Sequence, residues 1–188
     1  RGVLFNALLP LTVGGAKVVP RSGFRPRLIY VVGGEGVDEA NISSVELYDP
    51  QNASWTQRAG MAGPRAWHGC VALDGKLYAV GGFAADGQHL DTAEVYDPQT
   101  NGWQPLAKMS TGRDGLGLAA VGGKIYAIGG AIGGYGGGSA LDSVEAYDPQ
   151  LGAWALVASM SVRRCGHASV VLDGKIYAMG GQGEAGTL

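Results

Sequence analysis

Four pairs of glycines, each closing a short apolar run, recur along this chain in register with a set of other landmarks. The pairs are Gly33-Gly34, Gly81-Gly82, Gly129-Gly130 and Gly180-Gly181, spaced 48, 48 and 51 residues apart. The runs before them are Leu28 to Val32, Leu77 to Val80, Ile125 to Ile128 and Ile176 to Met179. A Tyr-Asp-Pro triplet starts at Tyr48, Tyr96 and Tyr147, with a glutamate two residues earlier at Glu46, Glu94 and Glu145. A tryptophan follows seven residues after each tyrosine, at Trp55, Trp103 and Trp154. Met61, Met109 and Met160 come next, each four residues before Arg65, Arg113 and Arg164. The three extra residues of the last interval lie between Gly130 and Glu145, in a glycine-rich loop. Landmarks that move together, with the insertion confined to a loop, mark a repeat architecture in which each unit is one supersecondary structure.

Each unit reads as four short strands. Asp74-Gly75, Gly122-Gly123 and Asp173-Gly174 separate two apolar runs, the signal of a tight hairpin whose central residues need positive φ. The second hairpin of a unit joins Val95-Tyr96 to Trp103 through residues 97–102, where Pro98 helps stop the strand because it cannot donate to a ladder. The nearly unbroken apolar second strands predict burial on both faces. Four-stranded sheets packed face to face around an axis supply that environment.

Together, Gly-Gly, Glu-x-Tyr-Asp-Pro, the tryptophan seven residues on, and Met-x-x-x-Arg resemble the kelch repeat over residues 28–188. The resemblance implies an all-β fold: a β-propeller of four-stranded antiparallel blades, one repeat per blade. The repeats run approximately 28–64, 65–112, 113–163 and 164–188, about three and a half units of a partial ring. Such an arc leaves a blade face and strand edges bare. Blade one lacks an apolar strand just ahead of Leu28, because Pro26-Arg27 stands where Asp-Gly is expected. In kelch-like adaptors the missing strand comes from the far end of the chain. On that pattern residues 1–27 are an irregular linker or the end of an upstream domain.

Composition excludes several function classes. The formal charge is −2 and the pI about 5.9, without the clustered basic face that nucleic acid needs. Lys17, Arg21, Arg25 and Arg27 share one stretch without interleaved aromatics and read as a solvated linker. The apolar segment from Val3 to Val13 is too short to span a bilayer and is broken by Asn6 and Pro10. Two cysteines, Cys70 and Cys165, occupy different repeat positions and form no disulfide framework, which fits a reducing compartment. The expected location is cytoplasmic, with neither nucleic acid nor membrane as partner.

The candidate chemistry is sparse. His68 and His167 share one repeat position, Leu116 takes it in the middle unit, and His89 sits in a loop. No spacing among them suits a zinc or copper site, so no metal, cofactor or catalytic residue is expected. Three glutamates and three arginines at repeat-locked positions suit ion pairs that tie strands together, and the repeated aromatics suit packing between blades. The G-x-G-x-x-G match at residues 181–186 begins with a glycine the repeat already explains, and residues 133–138 read as a flexible tip.

Repeat scaffolds recognise partners with the variable loops of one face. Here these are 35–44, 83–92 and 131–143. Kelch adaptors add the turns before each first strand, which map to Ala66-Trp67, Asp114-Gly115 and Cys165-Gly166. The candidate binding residues are Trp67, Phe83, His89, Asp114 and Tyr135. Trp67 leads because the other units have Gly115 and Gly166 in its place. The basic pocket that some kelch adaptors use for acidic peptides is not reproduced at these turns. The resemblance implies a protein-interaction module that holds a protein substrate or peptide for a cullin-RING ubiquitin ligase, recruited through a BTB domain outside this chain. The alternatives are a kelch-superfamily enzyme of copper oxidase or sugar epimerase type, and an actin-associated kelch protein.

Overall fold

The computed structural model describes residues 6–10, 27–36, 40–133, 138–184 and 186–188. It contains three four-stranded antiparallel sheets in simple chain order. Blade one is β1 (Asn6–Pro10), β2 (Arg27–Glu35), β3 (Asn41–Asp49) and β4 (Ser54–Arg58). Blade two is β5 (Gly69–Leu73), β6 (Lys76–Val80), β7 (Ala93–Asp97) and β8 (Gly102–Pro105). Blade three holds β9 (Gly117–Val121) and β10 (Lys124–Ile128), a small loop hairpin of β11 (Ala131–Ile132) and β12 (Ser139–Ala140), then β13 (Val144–Asp148) and β14 (Ala153–Val157). Blade four shows β15 (Ala168–Leu172), β16 (Lys175–Met179) and a hairpin of β17 (Gln182–Gly183) and β18 (Gly186–Thr187). That hairpin stands where the G-x-G-x-x-G match would need a helix.

The turns follow the sequence. Asp74 and Gly75 have φ of 49° and 77°, and Asp173 and Gly174 have 50° and 71°, both central residues left-handed as a type I′ hairpin requires. The first strands β1, β5, β9 and β15 neighbour one another in series, so they stand nearest the common axis and the tryptophan strands lie outermost. This is a propeller arc.

Blade one departs from expectation. Its first strand is Asn6–Pro10, which pairs antiparallel with β2, Asn6 opposite Val31 and Pro10 opposite Arg27. A segment inside the stretch read as an irregular linker therefore completes the blade, in the place assigned to the far end of the chain. Pro10 at the strand's last residue costs no interior ladder bond.

The core lies between blades. Tyr30, Val32, Val45 and Leu47 of blade one meet Leu77, Ala79 and Tyr96 of blade two. Val80 and Ala93 meet Leu116 and Ala127 across the next gap, with Met109 filling it. Tyr48–Trp55, Tyr96–Trp103 and Tyr147–Trp154 are tilted ring pairs with centroids 4.9, 5.2 and 5.2 Å apart. The indole N–H of Trp103 donates to Ala59 O at 2.8 Å, and that of Trp154 to Ala107 O at 2.9 Å. The aromatics thus serve packing, as their repetition suggests, and two of the tryptophans also tie a blade to the preceding connection.

The arginine motif works in the same direction with more force. Arg65 O accepts from Gly34 N of blade one at 2.8 Å. Its guanidinium enters blade two, where Nη1 donates to Gly81 O and Thr92 O and Nη2 pairs with Glu94 at 2.6 Å. The other Glu94 oxygen accepts from Ala62 N at 2.9 Å. Arg113 repeats the pattern with Gly82 N, Gly129 O, Ser143 O and Glu145, and Ser110 N takes the second Glu145 oxygen. The Arg113–Glu145 side chains are 0% and 1% exposed. A buried charge is tolerable when it is paired and its remaining donors are satisfied. Arg164 makes the corresponding contacts to Gly130 N and Gly180 O. Gly82 is needed at the seam. A Cβ there, already at φ 103°, would stand 2.7 Å from Ala66 O and from His68 Cβ.

The second strands of blades two and three are largely buried on both faces, whereas in blade one Tyr30 and Val32 are buried but Ile29 and Val31 only half-buried, and in blade four Tyr177 and Met179 are 44% and 51% exposed. Val170, Val171 and Leu172 on its first strand are exposed with them. This is the bare face expected of an arc.

Candidate functional site

The three turns that precede β5, β9 and β15 form a linked rim near the axis. Gly115 N donates to Trp67 O at 2.8 Å, and Gly166 N donates to Gly115 O at 2.8 Å. Each turn is also clipped to the long loop of its own blade by a pair of backbone hydrogen bonds. Ala66 pairs with Phe83, Asp114 with Ala131, and Cys165 with Gln182. The turns and loops read separately in the sequence thus become one continuous surface.

The rim needs a left-handed residue at each step. Gly115 and Gly166 have φ of 55° and 61°, and Trp67, at the same position, has 57°. Glycine adopts this conformation freely, whereas a bulky side chain does so under strain, and such strain clusters at binding sites. Trp67 itself is half-buried.

Two more of the expected residues meet here. The Phe83 and His89 rings are edge to face, 5.3 Å apart. His89 crosses to blade three. Its Nε2 accepts from Gly133 N at 3.0 Å and its Nδ1 lies 3.7 Å from Asp114 Oδ2. Accepting at Nε2 puts the proton of the neutral ring on Nδ1, facing the carboxylate. Burial raises the Asp114 carboxyl, and the charge of a protonated His89 would act against that shift. Tyr135 lies outside the described residues. Nothing in the sequence announced the His89 crossing, because His89 and Gly133 are 44 residues apart and neither is a repeat landmark.

The remaining polar groups are structural. Burial, reinforced by the Arg65 charge, pushes His68 down to about 3, although the backbone carbonyls of Arg65 and Val32 favour its protonated form. His167 is lowered to about 4 by burial and then by Arg164. Burial pushes the Cys70 thiol up to about 12, which makes it a poor nucleophile. No group of three or more His, Cys, Asp or Glu converges to hold a metal ion among the described residues. A groove of about 400 Å³ opens over the Arg65–Glu94 pair, walled by Ala62, Gly63, Pro64, Leu90 and Leu106. No helix among the described residues is long and apolar enough to cross a membrane.

Comparison with known proteins agrees with this geometry. The KLHDC2/KLHL20/DRC7 Kelch-repeats domain matches residues 12–187. Kelch-like protein 33 of Homo sapiens is 34% identical over 160 residues, covering 84% of this chain and 20% of that protein. An F-box/kelch-repeat protein of Arabidopsis thaliana is 49% identical over 51 residues, 26% of this chain and 13% of that protein. The chain therefore spans a fifth or less of the length of these two relatives. Among solved structures, that of YjhT superposes with a TM-score of 0.72 at 16% identity, over 85% of this chain and 60% of that one. At that identity the likeness speaks for the fold alone.

Proposed function

From the premise that this chain belongs to the kelch-repeat family, we propose that it is a non-enzymatic interaction module whose rim of turns and loops holds a protein partner. Family membership supports the interaction module, since kelch-like relatives cover most of the chain. The observation that carries the site is Trp67, a bulky aromatic in a left-handed backbone where the neighbouring turns use glycine. A packed, repeat-breaking aromatic is the usual chemistry of an interface anchor.

The finer reading is that the module selects substrates for a cullin-RING ubiquitin ligase in the cytoplasm, with the ligase recruited through a BTB domain. Likeness to a kelch-like protein and to an F-box/kelch-repeat protein supports it. The free thiols Cys70 and Cys165 suit a reducing compartment. The test is affinity capture with the full-length protein and with its Trp67→Ala variant. A cullin should co-purify with both, and a set of other proteins should be lost only from the variant. Failure to recover a cullin would remove the ligase role, and an unchanged protein set would remove Trp67 as the anchor.

A further inference from the structure

Away from the rim, one cation of the outermost strands breaks the repeat. Arg58 closes β4 opposite Val45, and Val45 stands opposite Val32 of β2. Residues directly opposite one another share a face of the sheet. Arg58 therefore lies on the face of blade one that turns Tyr30, Val32, Val45 and Leu47 against blade two. At the same step of the repeat, in the strand of the tryptophan, blade two continues to Leu106 and blade three has Val157. Leu106 packs against the cluster of Tyr78, Ile125 and Tyr147 across the next seam. Arg58 brings a charge to that place, beside the corresponding tyrosines Tyr30 and Tyr96.

That charge is not met within the chain. The Arg58 side chain is half-buried, and its Nε is buried without a hydrogen-bond partner. Its guanidinium makes no ion pair among the described residues. Asp97, the carboxylate that also acts on Tyr96, is held by Lys76 at 3.2 Å and by Gln99 N at 2.9 Å. The backbone here is fixed, because Ala59 donates through its N–H to Asn101 Oδ1 at 3.1 Å and accepts from the Trp103 indole at 2.8 Å. The Tyr30 and Tyr96 rings meet edge to face with centroids 5.8 Å apart. Burial raises both phenols, and the Arg58 charge acts against that rise at each. Both therefore keep their protons at neutral pH. The Tyr96 hydroxyl is spent on Asn101 Oδ1 at 2.7 Å. The Tyr30 hydroxyl has no hydrogen-bond partner among the described residues.

We propose that the outer end of the seam between blades one and two binds a phosphate group, held by the Arg58 guanidinium and the Tyr30 hydroxyl. A partly desolvated cation attracts an anion more strongly than one in bulk water. Guanidinium presents a planar fork of donors to two oxygens of an oxyanion. A phosphate keeps a further oxygen for the phenol, whereas a carboxylate has both of its oxygens taken by the fork. The site belongs to the flank of the arc and does not rest on the reading of Trp67 as a partner anchor.

The test uses the full-length protein labelled at arginine nitrogen, with the Arg58 Nε–H signal assigned by its loss in Arg58→Lys and in Arg58→Leu. The leucine variant copies Leu106, so the seam keeps an apolar filler. Inorganic phosphate, capped phosphoserine and acetate are titrated at neutral pH and constant ionic strength while that signal is followed. Phosphate should shift it saturably, and acetate should need about tenfold more. This comparison is made on the unaltered protein, so it stands whether or not a variant folds. Tyr30→Phe removes only the hydroxyl and should weaken phosphate by about three- to tenfold. Phosphate should also raise Tm, and Arg58→Leu should lose that rise. A lower midpoint for phosphoserine would assign the site to a phosphorylated side chain, and a lower midpoint for inorganic phosphate to the free anion. A shift that never saturates, that acetate matches, or that Tyr30→Phe leaves unchanged overturns the inference. So does a rise in Tm that survives Arg58→Leu. Arg58 is then a filler whose stem packs and whose head is hydrated.

Discussion

The seams between blades and the rim of turns are built from adjoining residues, yet they obey opposite rules. At each seam the same side chains return: an arginine whose carbonyl holds one blade and whose guanidinium holds the next. On the rim the backbone pattern returns while the side chains change, with Ala66-Trp67, Asp114-Gly115 and Cys165-Gly166 at equivalent steps. Only two residues, Asp114 and Gly115, separate Arg113 from Leu116. Repetition therefore marks what holds the arc together, and departure from repetition within a fixed backbone marks what is free to recognise something else.

The largest expected effect lies at a seam. Arg113→Ala strands the Glu145 carboxylate at 1% exposure and should cost about 3–5 kcal/mol in urea unfolding of the full protein. A loss no larger than that of a surface change would mean the seam is held by apolar packing alone.

Acid should come next. His68 is neutral in the fold, with its pKa lowered to about 3. The unfolded chain binds its proton near the ordinary value of about 6.5, so the unfolded state gains protons first as pH falls. The stability that His68 contributes is full above about 6.5 and is lost from there down toward 3. Between pH 7 and pH 5 this should remove about 2 kcal/mol. His68→Leu, copying Leu116 of the middle unit, should flatten that dependence. An unchanged slope would assign acid sensitivity to other groups, His167 first.

On the rim the sign should reverse. Trp67→Gly relieves a left-handed backbone and should raise stability by about 1 kcal/mol while partner capture falls. A stabilised variant that still binds would make Trp67 a strained residue without a use. The smallest effect belongs to the exposed Arg163 pairs with Asp142 and Glu184. Arg163→Ala should change the unfolding free energy by less than about 0.5 kcal/mol, and a double-mutant cycle with Glu184 would measure the coupling.

The repeat made nearly all of the fold legible, because the glycine pairs, the Asp-Gly turns and the Tyr–Trp spacing each impose a local conformation wherever they occur. It could not say which glutamate each arginine meets. The structure pairs Arg65 with Glu94 and Arg113 with Glu145, always the glutamate that follows in sequence. The strand Asn6–Pro10 escaped notice because residues 11–26 separate it from β2, so the two-residue hairpin signal is missing. Trp67 was visible as the exception to Gly115 and Gly166. The His89 crossing was not, because it depends on how two loops of neighbouring blades are brought together.

The split allegiance of each arginine also bears on how such a chain can be divided. A cut made at the boundary of a sequence motif passes through a clasp, since the residue that opens one unit is already bonded to the glycine pair of the unit before it. The indivisible element is then the joint rather than the repeat. Trimming or grafting should succeed only when each glycine pair keeps the arginine turn that follows it, much as a hinge is useful only with both leaves attached.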